Sequence, residues 1–255
     1  MSEELLREIS TYATHITQAG SGRPVLWLHD SIGHRWTQGH EALSLHCSLT
    51  APSLPGFVDS AALDGIDGPE DVVLWLLDLL DALTLDRPVM LGCGLGGWMA
   101  AEFAVRYPER LSRLVLVDAY GLQVNGALPA DEFALTPPML RPLLFSDPEG
   151  PIALEWLPNA PSPERMERTL HARVAAARLA WQFPYSTKLR GRLGRARVPA
   201  LVLWGGRDGL VPVAHAYAYE KELPTAQVVV IDGAGHYPYI EEPDRFAEEV
   251  ARFIG

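Results

Sequence analysis

Short apolar runs alternate with helix-like segments along most of the chain, and this alternation restricts the fold to a few architectures. Six runs have the length and apolar content of buried strands: residues 23–30, 45–57, 87–91, 111–119, 198–208 and 226–235. Helical spacing follows in four segments: residues 68–85, 96–107, 215–223 and 243–254. Strands that alternate with helices are typical of a parallel sheet covered on both faces. The sequence therefore predicts an α/β fold.

One section interrupts this alternation. Residues 122–197 are rich in proline and carry one long helical stretch, residues 164–183, but no run typical of a buried strand. We therefore predict one α/β domain in two parts, residues 1–121 and 198–255. Residues 122–197 are predicted to form a mainly helical cap inserted between them.

Composition narrows the classes of partner. The net charge is −11, which argues against nucleic acid and anionic membranes because both are bound through clustered cationic side chains. The segment GCGLGG also lacks the glycine spacing of a dinucleotide-binding loop. We expect a small-molecule substrate or ligand, no nucleic acid or membrane partner, and no cofactor.

The cysteines and histidines do not form a recognisable metal motif. Cys47 and Cys93 are too few for a disulfide framework and lack the spacing of a metal site. Four histidines lie in one region but match no metal-binding spacing: His29, His34, His40 and His46. We therefore predict no metal site.

The amino-terminal residues are informative about the cellular location of the protein. The chain begins MSEELLREIS, which is acidic and unlike a secretion signal or a transit peptide. No apolar run approaches the roughly 18 residues that a membrane-spanning helix needs. These features predict a soluble, cytoplasmic protein.

The segment VMLGCGLGGWMA, residues 89–100, has the pattern of a strand, a glycine-rich turn and the start of a helix. A sharp turn of this kind needs small residues two positions before and two positions after its tip. Gly92 and Gly96 meet that need and centre the turn on Gly94. A turn centred on Cys93 would have leucines at both flanking positions, so Cys93 is interpreted as a buried, unreactive thiol.

Two later segments carry candidate catalytic groups. LVLWGGRDGLVP presents Asp208 after a strand, and VVVIDGAGHYPYIEEPDRFAEEVARFI presents His236 in a loop before the last helix. A carboxylate held against one imidazole nitrogen fixes the tautomer and supports the ring as a proton acceptor. With the turn at Gly94, these segments resemble the α/β-hydrolase superfamily, in particular its small bacterial esterases, lactonases and carbon–carbon bond hydrolases.

The resemblance implies a mostly parallel eight-stranded sheet with helices on both faces and a cap that lines the substrate pocket. It also implies the chain order nucleophile, acid, histidine. Five aromatic residues are candidates for an apolar pocket under the cap, with core packing as the alternative: Trp98, Phe145, Trp156, Trp181 and Tyr185.

Several positions depart from the family pattern. Gly94 stands where the family carries its nucleophile, usually serine. Asp30 replaces a glycine in the loop that supplies one amide of the oxyanion hole, and a carboxylate there would oppose a developing oxyanion. Ser53 and Val58 replace an aspartate and a glycine in the next loop.

The remaining groups still allow chemistry. Leu95, at the start of the helix, and Ser31 are the candidate amide donors for a negative charge. Asp30 is interpreted as an added acid or base, a substrate-binding carboxylate or a solvated loop residue. Because Gly94 has no side chain, we expect room there for a water or a substrate atom, on which His236 could act as a general base.

Three functions are open on this evidence. The first is an enzyme that uses Asp208 and His236 as an acid–base pair, without a covalent intermediate, in hydrolytic or lyase-type chemistry. The second is a catalytically inactive binding or regulatory protein. The third is a serine hydrolase whose nucleophile has been replaced by Gly94.

Overall fold

A computed structural model describes residues 2–57, 65–180 and 184–255. Its centre is an eight-stranded sheet in the order β1-β2-β4-β3-β5-β6-β7-β8. The strands are β1 (Glu3–Ile9), β2 (Tyr12–Gly20), β3 (Pro24–Leu28), β4 (Ser48–Pro52), β5 (Val89–Cys93), β6 (Arg113–Val117), β7 (Ala200–Gly205) and β8 (Ala226–Ile231). The predicted α/β class and the mostly parallel eight-stranded sheet are confirmed.

An antiparallel hairpin forms one edge of the sheet. β1 pairs with β2, and β2 pairs with β4, in antiparallel register. The hairpin was not located from the sequence, because β1 carries charged residues on an exposed edge and lacks an apolar run. The six strands that were located, β3 to β8, form the parallel part of the sheet.

The register between β3 and β5 positions the candidate site. Leu28 of β3 lies opposite Gly92 of β5. Two residues further along each strand direction, Asp30 and Gly94 therefore leave the sheet at the same level. Because the carboxyl ends of parallel strands share one edge, both residues reach the edge at which ligands bind in open α/β sheets.

Helices cover the sheet in two groups. They are α1 (Gln38–Ser44), α2 (Pro69–Ala82), α3 (Gly94–Arg106), α7 (Ala214–Glu222), α8 (Pro238–Glu241) and α9 (Pro243–Ile254). α1 packs against α8 and α9, whereas α3 packs against α2. α3 begins two residues earlier than predicted, since the turn at its start is tight enough for Gly94 to be its first residue.

The described residues between β6 and β7 contain the three remaining α-helices: α4 (Pro137–Leu144), α5 (Pro151–Trp156) and α6 (Pro163–Ala180). A 3₁₀ turn, Glu132–Ala134, precedes them. The His236 amide donates to the Leu144 carbonyl at 2.8 Å, which ties this section to the core beside the candidate site. Within the described ranges, no helix combines the length and hydrophobicity needed to span a membrane.

Candidate functional site

The turn between β5 and α3 is centred on Gly94, which has a φ of +48°. This is the left-handed region, where glycine is favoured. The flanking glycines are needed for close approach: a Cβ on Gly96 would lie 2.5 Å from the carbonyl oxygen of Leu28, and one on Gly92 would lie 2.7 Å from the Cα of Gly97. The steric argument that placed the tip at Gly94 therefore agrees with the backbone.

The space beside Gly94 is filled by the carboxylate of Asp30. A Cβ at position 94 would overlap Oδ1 and Cγ of Asp30 and would lie 2.6 Å from its Oδ2. The expected room for a water or a substrate atom is thus absent, and that expectation was wrong. Asp30 is also fully buried, so its interpretation as a solvated loop residue was wrong too. The parallel register of β3 and β5 is the physical reason, because it brings the two strand ends together.

Backbone amides hold the Asp30 carboxylate. The Leu95 amide donates to Oδ1 at 2.7 Å, and the Ser31 amide also stabilises the charged form. These are the two amides expected to form the oxyanion hole. In this structure they bind a carboxylate that belongs to the protein.

His236 bridges two carboxylates. Its Nδ1 lies 2.8 Å from Oδ2 of Asp208, and its Nε2 lies 3.1 Å from Oδ2 of Asp30. All three side chains are fully buried. Asp208 is itself oriented by the amides of Leu210 and Val211, which donate to Oδ1 at 2.8 and 2.9 Å. The result is a hydrogen-bonded row of three buried side chains at the edge of the sheet.

His236 and the carboxylates beside it stabilise each other's charged forms. Burial lowers the pKa of His236, but the two adjacent carboxylates outweigh it and hold that pKa well above its ordinary value. Burial likewise raises the pKa of Asp30, but the hydrogen bond and charge of His236 outweigh it and lower the pKa below its ordinary value. The resting site therefore contains an imidazolium between two carboxylates.

Asp118 is a further buried acid, beside Asp208 and His236, and it could not be assigned to the site from the sequence. It follows β6 directly, has a φ of +46°, and its Oδ1 accepts the Gly205 amide at 2.9 Å. Burial, and then the charge of Asp208, raise the pKa of Asp118 well above its ordinary value. Its Oδ2 is buried and has no hydrogen-bond partner among the described residues, so Asp118 lies beside Asp208 as a neutral acid that is free to donate a hydrogen bond. Its place directly after a buried strand was the available signal.

One ligand-atom cluster in the described residues has a geometry that could suit a metal: Asp118, Asp208 and His236, with one ligand atom from each within 4.8 Å of the others. Within this group, His236 Nδ1 and Asp208 Oδ2 already contact each other at 2.8 Å. The three groups therefore fit a hydrogen-bonded chain as they stand.

A cavity of about 420 Å³ lies between the core and α4 to α6. Its floor includes Ser31, Glu132 and Tyr237, and each adjoins the buried chain. Ser31 follows Asp30, Tyr237 follows His236, and the Ser31 hydroxyl donates to Oε2 of Glu132 at 2.8 Å. The buried chain of charges thus lies directly beneath this cavity.

Two floor residues are set up to interact with a bound molecule. Tyr120 donates to Oε1 of Glu132 at 2.9 Å. Burial, and then the charge of Asp30, raise the pKa of Glu132 to about 7. The Tyr237 hydroxyl is buried and has no hydrogen-bond partner among the residues that the structure describes. Neither Glu132 nor Tyr237 had been singled out from the sequence. Glu132 lies in no recognisable motif, whereas Tyr237 directly follows His236, and that adjacency was the available signal.

The wall opposite the floor is cationic and apolar. α6 turns one face to the cavity, at spacings of three and four residues, and that face carries three arginines: Arg165, Arg168 and Arg173. Arg35 adds a fourth and packs 4.0 Å over the ring of Trp156. Three of the four have partners: Arg35 pairs with Glu155, Arg165 binds backbone carbonyls, and Arg173 binds the carbonyls of the turn that carries Glu132.

The model of the alpha/beta hydrolase family matches residues 20–249. The chain belongs to the alpha/beta hydrolase family. It is 25% identical over 271 residues to the 2-hydroxy-6-oxo-6-phenylhexa-2,4-dienoate hydrolase of Burkholderia cepacia, covering 96% of this chain and 92% of that enzyme. It is 28% identical over 256 residues to the pimeloyl-[acyl-carrier protein] methyl ester esterase of Vibrio vulnificus, covering 94% and 98%.

Solved structures agree with the fold. The 2-hydroxy-6-oxo-6-phenylhexa-2,4-dienoate hydrolase of Rhodococcus sp. strain RHA1 aligns with a TM-score of 0.80 at 22% identity, over all of this chain and 99% of that one. The two proteins therefore share the alpha/beta hydrolase fold over the full length of this chain.

Three further residues had been singled out near the site from the sequence: Cys93, Ser53 and Val58. Cys93 is buried, and burial followed by the charge of Asp30 raises its pKa well above the ordinary value, which agrees with an unreactive thiol. Ser53 is buried and its hydroxyl accepts the His15 amide at 3.1 Å, a structural role. Val58 lies outside the described residues.

Three of the four clustered histidines make local hydrogen bonds, and one of them is His34, whose Nε2 lies 2.9 Å from the Thr17 hydroxyl. His29 accepts the Leu54 amide at Nε2 and faces the Asp30 carbonyl with Nδ1. His40 contacts Thr37, and His46 is exposed. Of the aromatic candidates, Phe145 and Trp156 line the cavity, Trp98 packs in the core, Tyr185 bridges to Gly121, and Trp181 lies outside the described residues.

Proposed function

We propose that this alpha/beta hydrolase acts on a small organic molecule, with His236 and Asp208 as its acid–base pair and with no serine nucleophile. The observation that carries the proposal is the hydrogen-bonded chain Asp208–His236–Asp30, which ends at the amino terminus of α3. In the resting charge state, the imidazolium can give a proton and the Asp30 carboxylate can take one. Because the two groups are 3.1 Å apart, a proton can pass between them and reset the site after each reaction.

The cavity supports an anionic substrate with an apolar body. Leu140, Leu144, Phe145 and Trp156 offer apolar surface, while the arginine side chains supply positive potential in a chain of net charge −11. Arginine is well suited to bind a carboxylate. The relative from Burkholderia cepacia is a hydrolase of a phenyl-bearing dienoate, which has both features. A volume of about 420 Å³ lies in the range usual for small-molecule sites.

The principal alternative is a binding protein without catalysis. The observation in its favour is that Asp30, Asp208 and His236 have no exposed side-chain surface. A serine hydrolase inactivated at position 94 is a weaker alternative. A serine there would collide with the buried Asp30 carboxylate, so one substitution at position 94 does not account for this site.

Hydrolysis of a small panel tests the proposal: para-nitrophenyl acetate, styrene oxide and the para-carboxylate of styrene oxide. We expect the protein to hydrolyse at least one of them and His236→Gln to lower that rate roughly 100- to 10,000-fold, since acid–base catalysis by a positioned side chain is worth about that much. His46→Gln is the matched control, because His46 is exposed and remote from the site. A rate that survives His236→Gln, or no hydrolysis of any panel member, would refute the proposal and favour the binding protein.

A further inference from the structure

We infer that Asp30 is the nucleophile of this protein and that it forms a covalent ester with substrates whose leaving oxygen is attached to a saturated carbon, of which epoxides are the simplest class. This inference rests on the proposed function, because it uses His236 as the acid and base. It differs from the expectation, formed from the sequence, that the reaction has no covalent intermediate.

The first support is position. The nucleophile of this fold projects from the turn between a strand and the helix that follows it. In this chain the Asp30 carboxylate, from the neighbouring strand β3, fills the volume in which a side chain at position 94 would begin. The matching register of Leu28 and Gly92 places it there. A carboxylate thus replaces the side chain at the turn, although it comes from another part of the chain.

The second support is the arrangement of its two oxygens. Oδ1 is held by the Leu95 amide, while Oδ2 faces His236 Nε2. If Oδ2 bonds to substrate, Oδ1 becomes the carbonyl oxygen of the ester and already lies in the oxyanion hole. Water attack on Cγ of Asp30 then places negative charge on Oδ1, where the Leu95 amide stabilises it.

The same arrangement selects the type of substrate. An acyl substrate develops an oxyanion on its own oxygen and needs free amide donors, but the Leu95 amide is taken by Asp30. Attack on a saturated carbon needs no such donors. It needs an acid for the leaving oxygen, and the protonated His236 supplies one. The buried Tyr237 hydroxyl, which lines the cavity, can also donate a hydrogen bond to that oxygen.

The atoms and protons balance for an epoxide. In the first step, Oδ2 of Asp30 bonds to a ring carbon, the carbon–oxygen bond of the ring breaks, and the released oxygen takes the proton of His236. In the second step, neutral His236 takes a proton from water while the water oxygen bonds to Cγ of Asp30. The ester bond between Cγ and Oδ2 then breaks, and the departing oxygen takes that proton back from His236. The carboxylic acid left on Asp30 finally returns its proton to His236, so that one epoxide and one water give one diol.

Entry to Asp30 requires a local movement. Glu132 lines the cavity and binds the hydroxyls of Ser31 and Tyr120, so its side chain lies on the cavity floor beside the residue that follows Asp30. Its support is a 3₁₀ turn of three residues, which is a short element. Because Asp30 has no exposed side-chain surface, we infer that a substrate reaches it by displacing the Glu132 side chain.

A single-turnover experiment in oxygen-18 water tests the inference with styrene oxide as the probe and the wild-type protein in molar excess. We expect the peptide that contains Asp30 to gain one labelled oxygen, and the first diol to carry none. In His236→Gln the Tyr237 hydroxyl remains as a donor to the leaving oxygen in the first step, whereas no base remains to activate water in the second. This variant should therefore slowly accumulate a covalent adduct on Asp30, and the double variant with Asp30→Asn should not.

The outcomes separate this inference from the proposed function. Label in the diol and none in Asp30, with a rate that depends on His236, would overturn the nucleophile and leave the acid–base pair standing. Hydrolysis of para-nitrophenyl acetate that depends on His236, with no reaction of styrene oxide, would overturn the substrate class and the nucleophile together. Hydrolysis that is indifferent to His236 would remove the proposed function itself.

Discussion

The carboxylate of Asp30 occupies the space in which a side chain on Gly94 would begin. Asp30 lies after β3 and Gly94 lies at the start of α3, 64 positions later in the chain. The two residues are therefore coupled: a side chain at position 94 excludes the carboxylate, and the carboxylate excludes a side chain.

This coupling predicts the behaviour of serine variants. Gly94→Ser alone should destabilise the protein by roughly 1–3 kcal/mol, because its Cβ overlaps a buried carboxylate and the φ of the turn is positive. It should gain no esterase activity. Asp30→Gly with Gly94→Ser should remove the overlap and hydrolyse para-nitrophenyl acetate faster than the single variant. Urea unfolding and initial rates measure both effects.

Asp30→Gly alone is the control for that experiment, since it opens the space without adding a hydroxyl. Equal stability and equal esterase rates in Gly94→Ser and the double variant would contradict the coupling.

A second prediction concerns Asp30 and stability. The raised pKa of His236 stabilises the fold fully below the ordinary histidine value of about 6.5, and this contribution is lost as the pH rises through the folded-state pKa. Asp30→Asn removes one of the two carboxylates that raise it. The variant should be about 2–4 kcal/mol less stable than the wild type at pH near 6, and the deficit should shrink at alkaline pH. Urea unfolding at acid and alkaline pH measures this trend.

Asp86→Asn provides the comparison, because Asp86 is exposed and remote from the site. A deficit in Asp30→Asn that grew as the pH rose would show that His236 is not protonated in the folded protein.

Glu132 should make the fold pH-dependent near neutrality. Its pKa of about 7 lies above the ordinary glutamate value, so its contribution is complete below pH of about 4.5 and is lost as the pH rises through 7. Glu132→Gln removes the ionisation. The variant should therefore gain roughly 1–2 kcal/mol relative to the wild type between pH 5 and pH 8. Glu167→Gln on the exposed side of α6 should show no such trend, and a parallel trend in both variants would contradict the assignment.

Arg168 should recognise substrate charge. Arg168→Ala should raise KM for the para-carboxylate of styrene oxide about fivefold, which corresponds to about 1 kcal/mol for one solvent-accessible ion pair. It should leave kcat unchanged and leave the KM of uncharged styrene oxide unchanged. Arg178 is exposed on the same helix and does not line the cavity, so Arg178→Ala is the matched variant. An equal rise in KM for both epoxides would contradict charge recognition.

Local pattern accounts for much of the fold. Buried strands such as β5 and β7 are uninterrupted apolar runs, so their hydrophobicity alone identified them. The tip of the turn followed from the size of Gly92 and Gly96, and the contact of Asp208 with His236 matches the order of the segments that carry them. The edge strand β1 escaped detection because its residues are charged and mostly exposed.

Which side chains meet at the site depends instead on how distant segments are aligned in the folded protein. Asp30 was recognised as unusual, but its carboxylate could be placed beside Gly94 only once β3 and β5 were aligned. Glu132 enters from a short turn in the section after β6, and no local pattern marks such a residue. Asp118 depended on its neighbours, because only its burial beside Asp208 gives it a role.

The alignment of Leu28 with Gly92 also bears on how ancestry and activity are related in such proteins. Neighbouring strands that end level with each other offer two starting points from which one location can be reached. A reactive group can therefore come from a different sequence position in different relatives and still occupy the same location in the structure. A sequence alignment inspected at the nucleophile position alone would miss such a change. A comparison of the side chains that occupy this location in the structures would detect it.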